Sequence, residues 1–288
     1  MSENQSLAIH WRLNSLCNRE CPFCYGPNGI DEAPLSSAYL VMDKLLAYGI
    51  DSFIITGGEP TLSKNLDAIL EYLKAHGAKV ALYSNCDLWE RKARVLEKCL
   101  DTLCVPLEGA TALTHDKQRG RGSFRTIRRV LDRWATGSGP FKIKVGTVLG
   151  RHNSQELPAL QYLIDKYRVE VWKIYEYVPY TDRPLQAKWE SNSQGLTAAE
   201  FRTATQGVVR TPGRRTTVSV SGVVDRSESY LMLNPDLSVI VPVQTAAGTF
   251  VDRYLGSAIS LTISEIEVNW REVVDVDRYR DNLRASHF

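Results

Sequence analysis

Along the first 180 residues, short apolar runs take turns with apolar positions at helical spacing. SLAIHWRL (6–13) predicts a strand. After a cysteine-bearing loop, SSAYLVMDKLLAYG (36–49) has the three-and-four spacing of a helix that ends at Gly49. SFIIT (52–56) predicts the second strand, followed by GGEPT and the helix NLDAILEYLKAHG (65–77). The third strand is KVALYS (79–84), with a helix through RKARVLEKCL (91–100). The fourth is TLCVPL (102–107), followed by a loop and the helix SFRTIRRVLDRW (123–134). FKIKVGTVL (141–149) and SQELPALQYLIDKY (154–167) make the fifth pair, and VEVWKIYEYV (169–178) is the sixth strand. Six strand–helix units of about 30 residues have the period that right-handed βαβ crossovers require.

The fold expected is α/β, with parallel strands that are covered by helices on one side and curl into a barrel or partial barrel. In such barrels the chemistry sits in loops after the C-terminal ends of the strands, which puts the cysteine loop and GGEP on the same rim. Beyond residue 180 the pattern loosens. RPLQAKWESNSQG (183–195) predicts a loop and TAAEFRTATQGVV (197–209) a short helix. TTVSVSGVV (216–224) and SYLMLNPDLSVIVPV (229–243) predict strands around an Asn-Pro-Asp turn, and EVNWREVVDVDRYRDNLR (267–284) a terminal helix. The organisation expected is a core over 1–180, with 181–288 as a C-terminal extension of short strands and helix packed on the same barrel, in one structural domain.

The chain has 288 residues, of which 43% are hydrophobic and 24% charged, and a formal net charge of +2. These are ordinary values for a globular protein, and they neither demand nor exclude an anionic partner. No apolar run approaches the ~20 residues needed to cross a bilayer. MSENQSLAIH lacks the basic-then-apolar pattern of a signal peptide. A cytoplasmic location is expected, where disulfides are rare.

Three of the six cysteines, Cys17, Cys21 and Cys24, fall in LCNRECPFCYGP with the spacing C-x3-C-x2-C. A disulfide framework, a zinc site and an iron–sulfur cluster are the candidates. Structural zinc closes four ligands, and no fourth cysteine or histidine stands nearby. Cys99 and Cys104 lie in a helical and a strand pattern and read as small buried residues, whereas Cys86 follows the third strand toward the rim. A [4Fe–4S] cluster normally takes four thiolates, so three would leave one iron with an open position for a chelating ligand.

The cysteine spacing with Phe23 before the last cysteine, GGEPT one unit later and the six-unit βα pattern together resemble the radical S-adenosylmethionine (SAM) superfamily over the six predicted strands. The resemblance implies a partial (β/α)6 TIM-like barrel. It implies that Cys17, Cys21 and Cys24 hold three irons of a [4Fe–4S] cluster, while the fourth takes the amino and carboxylate groups of SAM. Gly57, Gly58, Glu59 and Pro60 match the segment that meets SAM, with Glu59 accepting from its ammonium. Pro60 also fits the first position of a helix. Ser84 and Asn85 match a position touching the ribose or carboxylate, or else cap the next helix. Glu108 matches an acidic position near the ligand, and Arg119, or Arg121 two residues on, matches an arginine that pairs with the SAM carboxylate. The implied chemistry is reductive cleavage of SAM to a 5′-deoxyadenosyl radical that abstracts a hydrogen atom from a substrate, with reduced flavodoxin or ferredoxin as electron donor.

Later stretches resemble the viperin-like branch, which acts on nucleotides such as CTP. KVGTVLGRHN parallels it at Lys144, Thr147, Val148, Arg151 and Asn153, WKIYEYVP at Trp172, Lys173 and Tyr175, and SYLML at Tyr230. The resemblance places Thr147 and Val178 near the cofactor, Lys144, Lys173, Tyr175 and Tyr230 near the substrate, and Tyr230 in the chemistry; Cys86, by its place toward the rim, is the other catalytic candidate. YGPNG after the last cysteine, with Gly146 and Gly150, departs from the viperin pattern, so the expected substrate is a nucleotide, nucleoside or sugar-containing small molecule rather than CTP in particular. Strand alternation turns Lys144 and Lys173 inward, and an inward lysine calls for an anion. Arg125, Arg128 and Arg129 read as a solvated helix face, and the five histidines show no metal spacing. A peptide-modifying radical SAM enzyme is the alternative, weakened because no cysteine follows Cys104 to hold a further cluster. An electron-transfer or iron-sensing protein is a remote one, since it leaves GGEP and Arg119 without purpose. Neither a membrane nor a nucleic acid is expected as partner.

Overall fold

The computed structural model describes residues 7–136, 139–180, 194–209 and 215–279. Six parallel strands follow one another across the sheet in chain order: β1 (Leu7–Arg12), β2 (Ile50–Thr56), β3 (Lys79–Tyr83), β4 (Thr102–Pro106), β5 (Lys142–Leu149) and β6 (Val171–Glu176). The connecting helices are α1 (Leu35–Tyr48), α2 (Leu66–Ala75), α3 (Trp89–Cys99), α4 (Ala112–Arg119), α5 (Ser123–Trp134) and α6 (Leu157–Ile164). Helix α1 stops where Gly49 turns left-handed at φ 101° and its N–H returns to the carbonyls of Leu45 and Leu46.

Alternation along each strand sorts the side chains onto two faces. Ile9, Trp11, Phe53, Ile55, Val80, Leu82, Leu103, Val105, Ile143, Val145, Trp172 and Ile174 join the apolar faces of the helices in one core. The other face carries a small cluster of Ala8, Ile54, Ala81 and Cys104 with Tyr83, alongside His10, Arg12, Lys144 and Lys173. The sheet curls around this second face, which becomes the lumen.

The region after residue 180 extends the sheet at both ends. Helix α7 (Ala198–Val209) leads to β7 (Thr217–Ser221), which pairs parallel with β6. A short helix α8 (Val223–Arg226) precedes β8 (Met232–Leu233), parallel to β1, and then come antiparallel β9 (Ser238–Gln244) and β10 (Phe250–Ser257), followed by helix α9 (Ile263–Arg271). The order is β10-β9-β8-β1-β2-β3-β4-β5-β6-β7, and the end strands do not pair with each other, so the sheet is open. Beyond β6 the chain crosses back toward β10: Tyr180 bridges Phe250, whose N–H donates to Pro179 at 3.0 Å.

Four expectations change. The loop expected after β4 contains α4, whose buried side chains, His115 and Gln118, give no apolar period; the Thr111 hydroxyl accepts from the Thr114 N–H at its start. Val223 and Val224 start α8 rather than ending a strand. Strand β10 lay hidden because exposed Tyr254 and a register shift by Gly256 break its alternation. The terminal helix starts earlier, at Ile263, and breaks after Arg271. The predicted loop at 183–193 and the end of that terminal segment (280–284) lie outside the described residues.

Candidate active site

A cavity of about 1680 Å³, including its open mouth, lies at the C-terminal ends of the strands. All three motif cysteines line it: Cys17 is exposed, Cys21 buried and Cys24 half-buried. Burial pushes the Cys21 thiol up, with the nearby Arg119 charge opposing it and Cys24 adding to it. Among the described residues no three His, Cys, Asp or Glu side chains converge as a single metal ion demands. A cubane makes a different demand, because each thiolate takes a separate iron at its own corner. The spread of the sulfurs around one cavity wall, the Gly26 N–H donating to Cys24 Sγ at 3.3 Å and the Arg119 guanidinium 3.8 Å from Cys21 Sγ fit an anionic, thiolate-held core.

The cysteine loop is held down by GGEP. Gly58 N–H donates to the Asn14 carbonyl at 2.8 Å and Glu59 N–H to the Leu16 carbonyl at 2.6 Å, while Asn14 Nδ2 donates to the Glu59 carbonyl at 3.0 Å. The approach is so close that a Cβ on Gly58 would lie 2.1 Å from Leu16 O. One on Gly57, which sits at φ 143°, would lie 2.7 Å from Asn14 O. The two glycines thus serve contact between two protein loops.

Glu59 is buried, and its carboxylate binds protein. Oε1 accepts from Thr61 N–H (3.1 Å), Thr61 hydroxyl (2.6 Å) and Ser84 hydroxyl (2.7 Å), and Oε2 accepts from Asn85 N–H (2.7 Å). A carboxylate offers about four acceptor sites, two on each oxygen, so Oε1 is filled and Oε2, with one donor, keeps room for one more. Burial pushes its pKa up against these bonds. Ser84 and Asn85 line the cavity and are drawn to the GGEP loop through Glu59, and Pro60 opens a 3-10 turn, Pro60–Leu62, as a helix-start proline does.

Glu108 is fully buried. One oxygen accepts from Arg119 Nη2 (2.6 Å) and Nε (3.0 Å), the other from Val148 N–H (2.7 Å). Burial pushes the Glu108 carboxyl up and the Arg119 contact opposes it. Arg119 also packs over the Phe23 ring at 4.7 Å and is the member of this pair that lines the cavity. His115 accepts the Glu108 N–H on Nδ1 at 3.0 Å and faces the Ser123 hydroxyl through Nε2. Burial lowers it to about 3, so it is a neutral brace.

Thr147 and Cys86, like Pro60 and Glu108, do not line the cavity. Thr147 faces the helix layer, donating to the Leu107 carbonyl (2.7 Å) and accepting from Trp172 Nε1 (3.0 Å). Alternation presents its neighbours Gly146 and Val148 to the cavity instead. Cys86, at φ 62°, is buried in the helix-side core with its Sγ 3.6 Å from the Ser84 carbonyl, and burial raises its pKa; Cys104 lines the cavity in its place. Lys144 and Lys173 do turn into the lumen, both 1% exposed, but tyrosines stand between them and the open cavity. Lys144 Nζ donates to Tyr83 hydroxyl at 2.8 Å and Lys173 Nζ lies 5.4 Å from the Tyr175 ring centroid. Tyr175, Tyr230 and Val178 line the cavity.

Several lining residues were not anticipated. Arg19, in the gap between the first two cysteines, donates to Asp87 through Nε (2.7 Å) and Nη2 (2.6 Å) and through Nη1 to the carbonyls of Arg119 (2.8 Å) and Gly120 (3.2 Å). A charged residue inside a ligand motif was the available signal. Arg12 is buried against Asp252 and Asn234, below a stack of Tyr25, Tyr180 and Phe250 with ring centroids 5.5 and 5.6 Å apart. Those partners come from the cysteine loop, the segment after β6, the turn after β8 and β10, and no local pattern marks them.

Residues 12–161, more than half of the chain, match the family described as the Radical SAM superfamily. The chain belongs to the radical SAM superfamily. It is a radical SAM enzyme, whose cofactors are a [4Fe–4S] cluster and SAM. Among its relatives are a mycofactocin maturase, MftC, of Mycobacterium ulcerans (31% identical, 56% of this chain and 45% of that protein) and the sporulation killing factor maturation protein SkfB of Bacillus subtilis (27%, 51% and 36%). An Fe-coproporphyrin III synthase of Methanosarcina barkeri matches at 25%, over 58% of this chain and 43% of that one. The chain thus spans less than half the length of these relatives. In fold, this radical SAM protein resembles SuiB of Streptococcus suis bound to its precursor peptide SuiA (TM-score 0.71, 14% identical, 98% of this chain and 67% of that one). It also resembles anSMEcpe with bound AdoMet and a Cp18Cys peptide (0.68, 14%, 99% and 84%). These names are of peptide-maturing and coproporphyrin-type enzymes rather than of the nucleotide-acting viperin branch. No helix among the described residues is long and apolar enough to cross a membrane.

Proposed function

We propose that this enzyme modifies a side chain of a ribosomally made peptide. The observation that supports the reading is that just over half of the chain is 27–31% identical to a protein named a mycofactocin maturase and to one named a sporulation killing factor maturation protein.

In this reading Cys17, Cys21 and Cys24 hold the cluster, with Arg119 offsetting thiolate charge. Gly57–Glu59, Ser84, Asn85 and Arg119 form the SAM side, and Tyr175, Tyr230 and Tyr25 the substrate side. When bound, the cluster and SAM supply a 5′-deoxyadenosyl radical that abstracts a hydrogen atom. The chain's own part is placement and exclusion of water. Arg19 ties the cysteine loop to the β3 loop at Asp87 and to the end of α4, so three loops that line the cavity move as one body. Arg19→Met is expected to weaken SAM binding by ~10-fold or more while iron content holds, since small misplacements at a reacting centre are costly. Anaerobic equilibrium binding reads this, and unchanged affinity would show that the loops keep their places without the brace.

The function is tested by anaerobic turnover of reconstituted enzyme with short peptides encoded beside its gene, against a panel of nucleotides, nucleosides and sugar nucleotides. Substrate-stimulated 5′-deoxyadenosine together with a mass change on a peptide is the expected result. Stimulation confined to the nucleotide panel would overturn the proposal.

A further inference from the structure

Three side chains stand side by side on adjacent strands of the lumen: Tyr83 of β3 lies opposite Cys104 of β4, and Cys104 opposite Lys144 of β5. Lys144 Nζ donates to the Tyr83 hydroxyl at 2.8 Å, and that hydroxyl lies 3.1 Å from the hydroxyl of Tyr175 on β6. An ammonium only donates, so Tyr83 must accept from it and has one proton of its own to pass on. Of its two other neighbours, the Tyr175 oxygen is a far better acceptor than the Cys104 sulfur. Tyr175 is then left with its proton directed away from Tyr83, into the cavity that its side chain lines. The chain of bonds is thus polarised outward from the buried charge, and each bond in such a chain strengthens the next.

The surroundings favour a negative occupant. Lys173 lies under the Tyr175 ring, and Arg226 on the neighbouring wall donates to the Gly222 and Glu176 carbonyls. The acids on that side, Glu176 and Asp225, are engaged by the N–H groups of Val223 (2.8 Å) and Gly222 (2.7 Å). Among the described residues Lys144, Lys173 and Arg226 stand on that side with Glu176 and Asp225, Arg12 being matched by Asp252; burial, then the fields of Lys144 and Arg226, lower the Lys173 pKa well below its ordinary value, a cost that a bound anion would offset. Burial and then the field of Lys173, Lys144 and Arg12 hold His10 neutral, with its pKa at about 3, so it adds no charge. Burial lowers Lys144 to about 8, and it remains protonated at neutral pH.

We propose that the lumen floor beneath Tyr175 is a carboxylate-binding subsite, in which an anionic oxygen of the substrate accepts from the Tyr175 hydroxyl and is held by the Lys144–Tyr83–Tyr175 chain with Lys173 and Arg226 alongside. The subsite deepens the peptide reading by selecting a substrate with an acidic side chain or a terminal carboxylate at the reacting position. It rests on that reading only for which molecule brings the carboxylate.

The test uses enzyme loaded with cluster and SAM, and benzoate as probe against neutral benzamide, followed by saturation-transfer NMR. Benzoate is expected to bind at least ~10-fold more tightly than benzamide, with its affinity falling as pH rises through about 8, where Lys144 loses its proton. Lys144→Met should remove both the preference and that pH dependence. Tyr83→Phe, which keeps the ring and the fold, should remove the preference. Equal binding of the two probes, no binding of benzoate, or a preference that survives both substitutions would overturn the subsite. None of these results bears on whether peptides stimulate 5′-deoxyadenosine release, so the two proposals fail separately.

Discussion

Cys21→Ala is expected to give anaerobically reconstituted protein without the brown absorbance of a cluster and without 5′-deoxyadenosine release above background. Of the three motif sulfurs, Cys21 is the buried one, and Arg119, anchored by Glu108, reaches toward it. Two remaining thiolates cannot hold a cubane at three corners, and alanine supplies no substitute ligand. The fold should survive, since Cys21 packs in a small cluster with Phe23 and Tyr177, apart from the main core. Circular dichroism and melting temperature should therefore stay near wild type while iron content collapses. A coloured Cys21→Ala protein that still cleaves SAM would refute the ligand assignment.

Gly58→Ala should have nearly as large an effect for a different reason. The added methyl would lie 2.1 Å from the Leu16 carbonyl oxygen and 2.9 Å from the Ser15 carbonyl carbon, both backbone atoms of the cysteine loop. No rotamer relieves a clash of Cβ with backbone, so one loop must withdraw. With it go the Gly58–Asn14 and Glu59–Leu16 hydrogen bonds. The cost should reach at least the roughly 1–3 kcal/mol of an overpacked interior, and Cys17, one residue beyond Leu16, is carried out of place. A fall in melting temperature of several degrees, together with loss of most of the bound iron, is expected. Full iron content in a stable Gly58→Ala protein would show that the loops are not coupled through this contact.

The comparison between these two residues shows what could be foreseen. Cys21 was legible because a ligand's chemistry is carried by the residue itself, and its spacing from Cys17 and Cys24 is a local property of the chain. Gly58 was legible as a turn glycine, but its partner was not: only the fold brings Leu16 within reach of it. Lys144 lies between the two cases. Period-two alternation sufficed to turn it into the lumen, yet nothing local shows that Tyr83, 61 residues earlier, would stand between it and the cavity. Alternation also places Thr147 away from the cavity, and the parallel drawn with another family's segment ran against it.

What the sequence determined by itself was the βα rhythm, the six parallel strands, the placing of the cysteine loop and GGEP on one rim, and the radical SAM chemistry that follows. These depend on periodicity and on short motifs, which are local. The tertiary structure alone decided that the region after β6 adds strands to both ends of the sheet and that Glu59 and Glu108 spend their oxygens on protein donors. It also decided that Arg19 joins three loops, and that Tyr25, Tyr180 and Phe250 stack over Arg12. The physical reason is range: hydrogen bonds and ion pairs form between atoms that the fold makes neighbours, and the sequence separation of those atoms carries no trace of the contact.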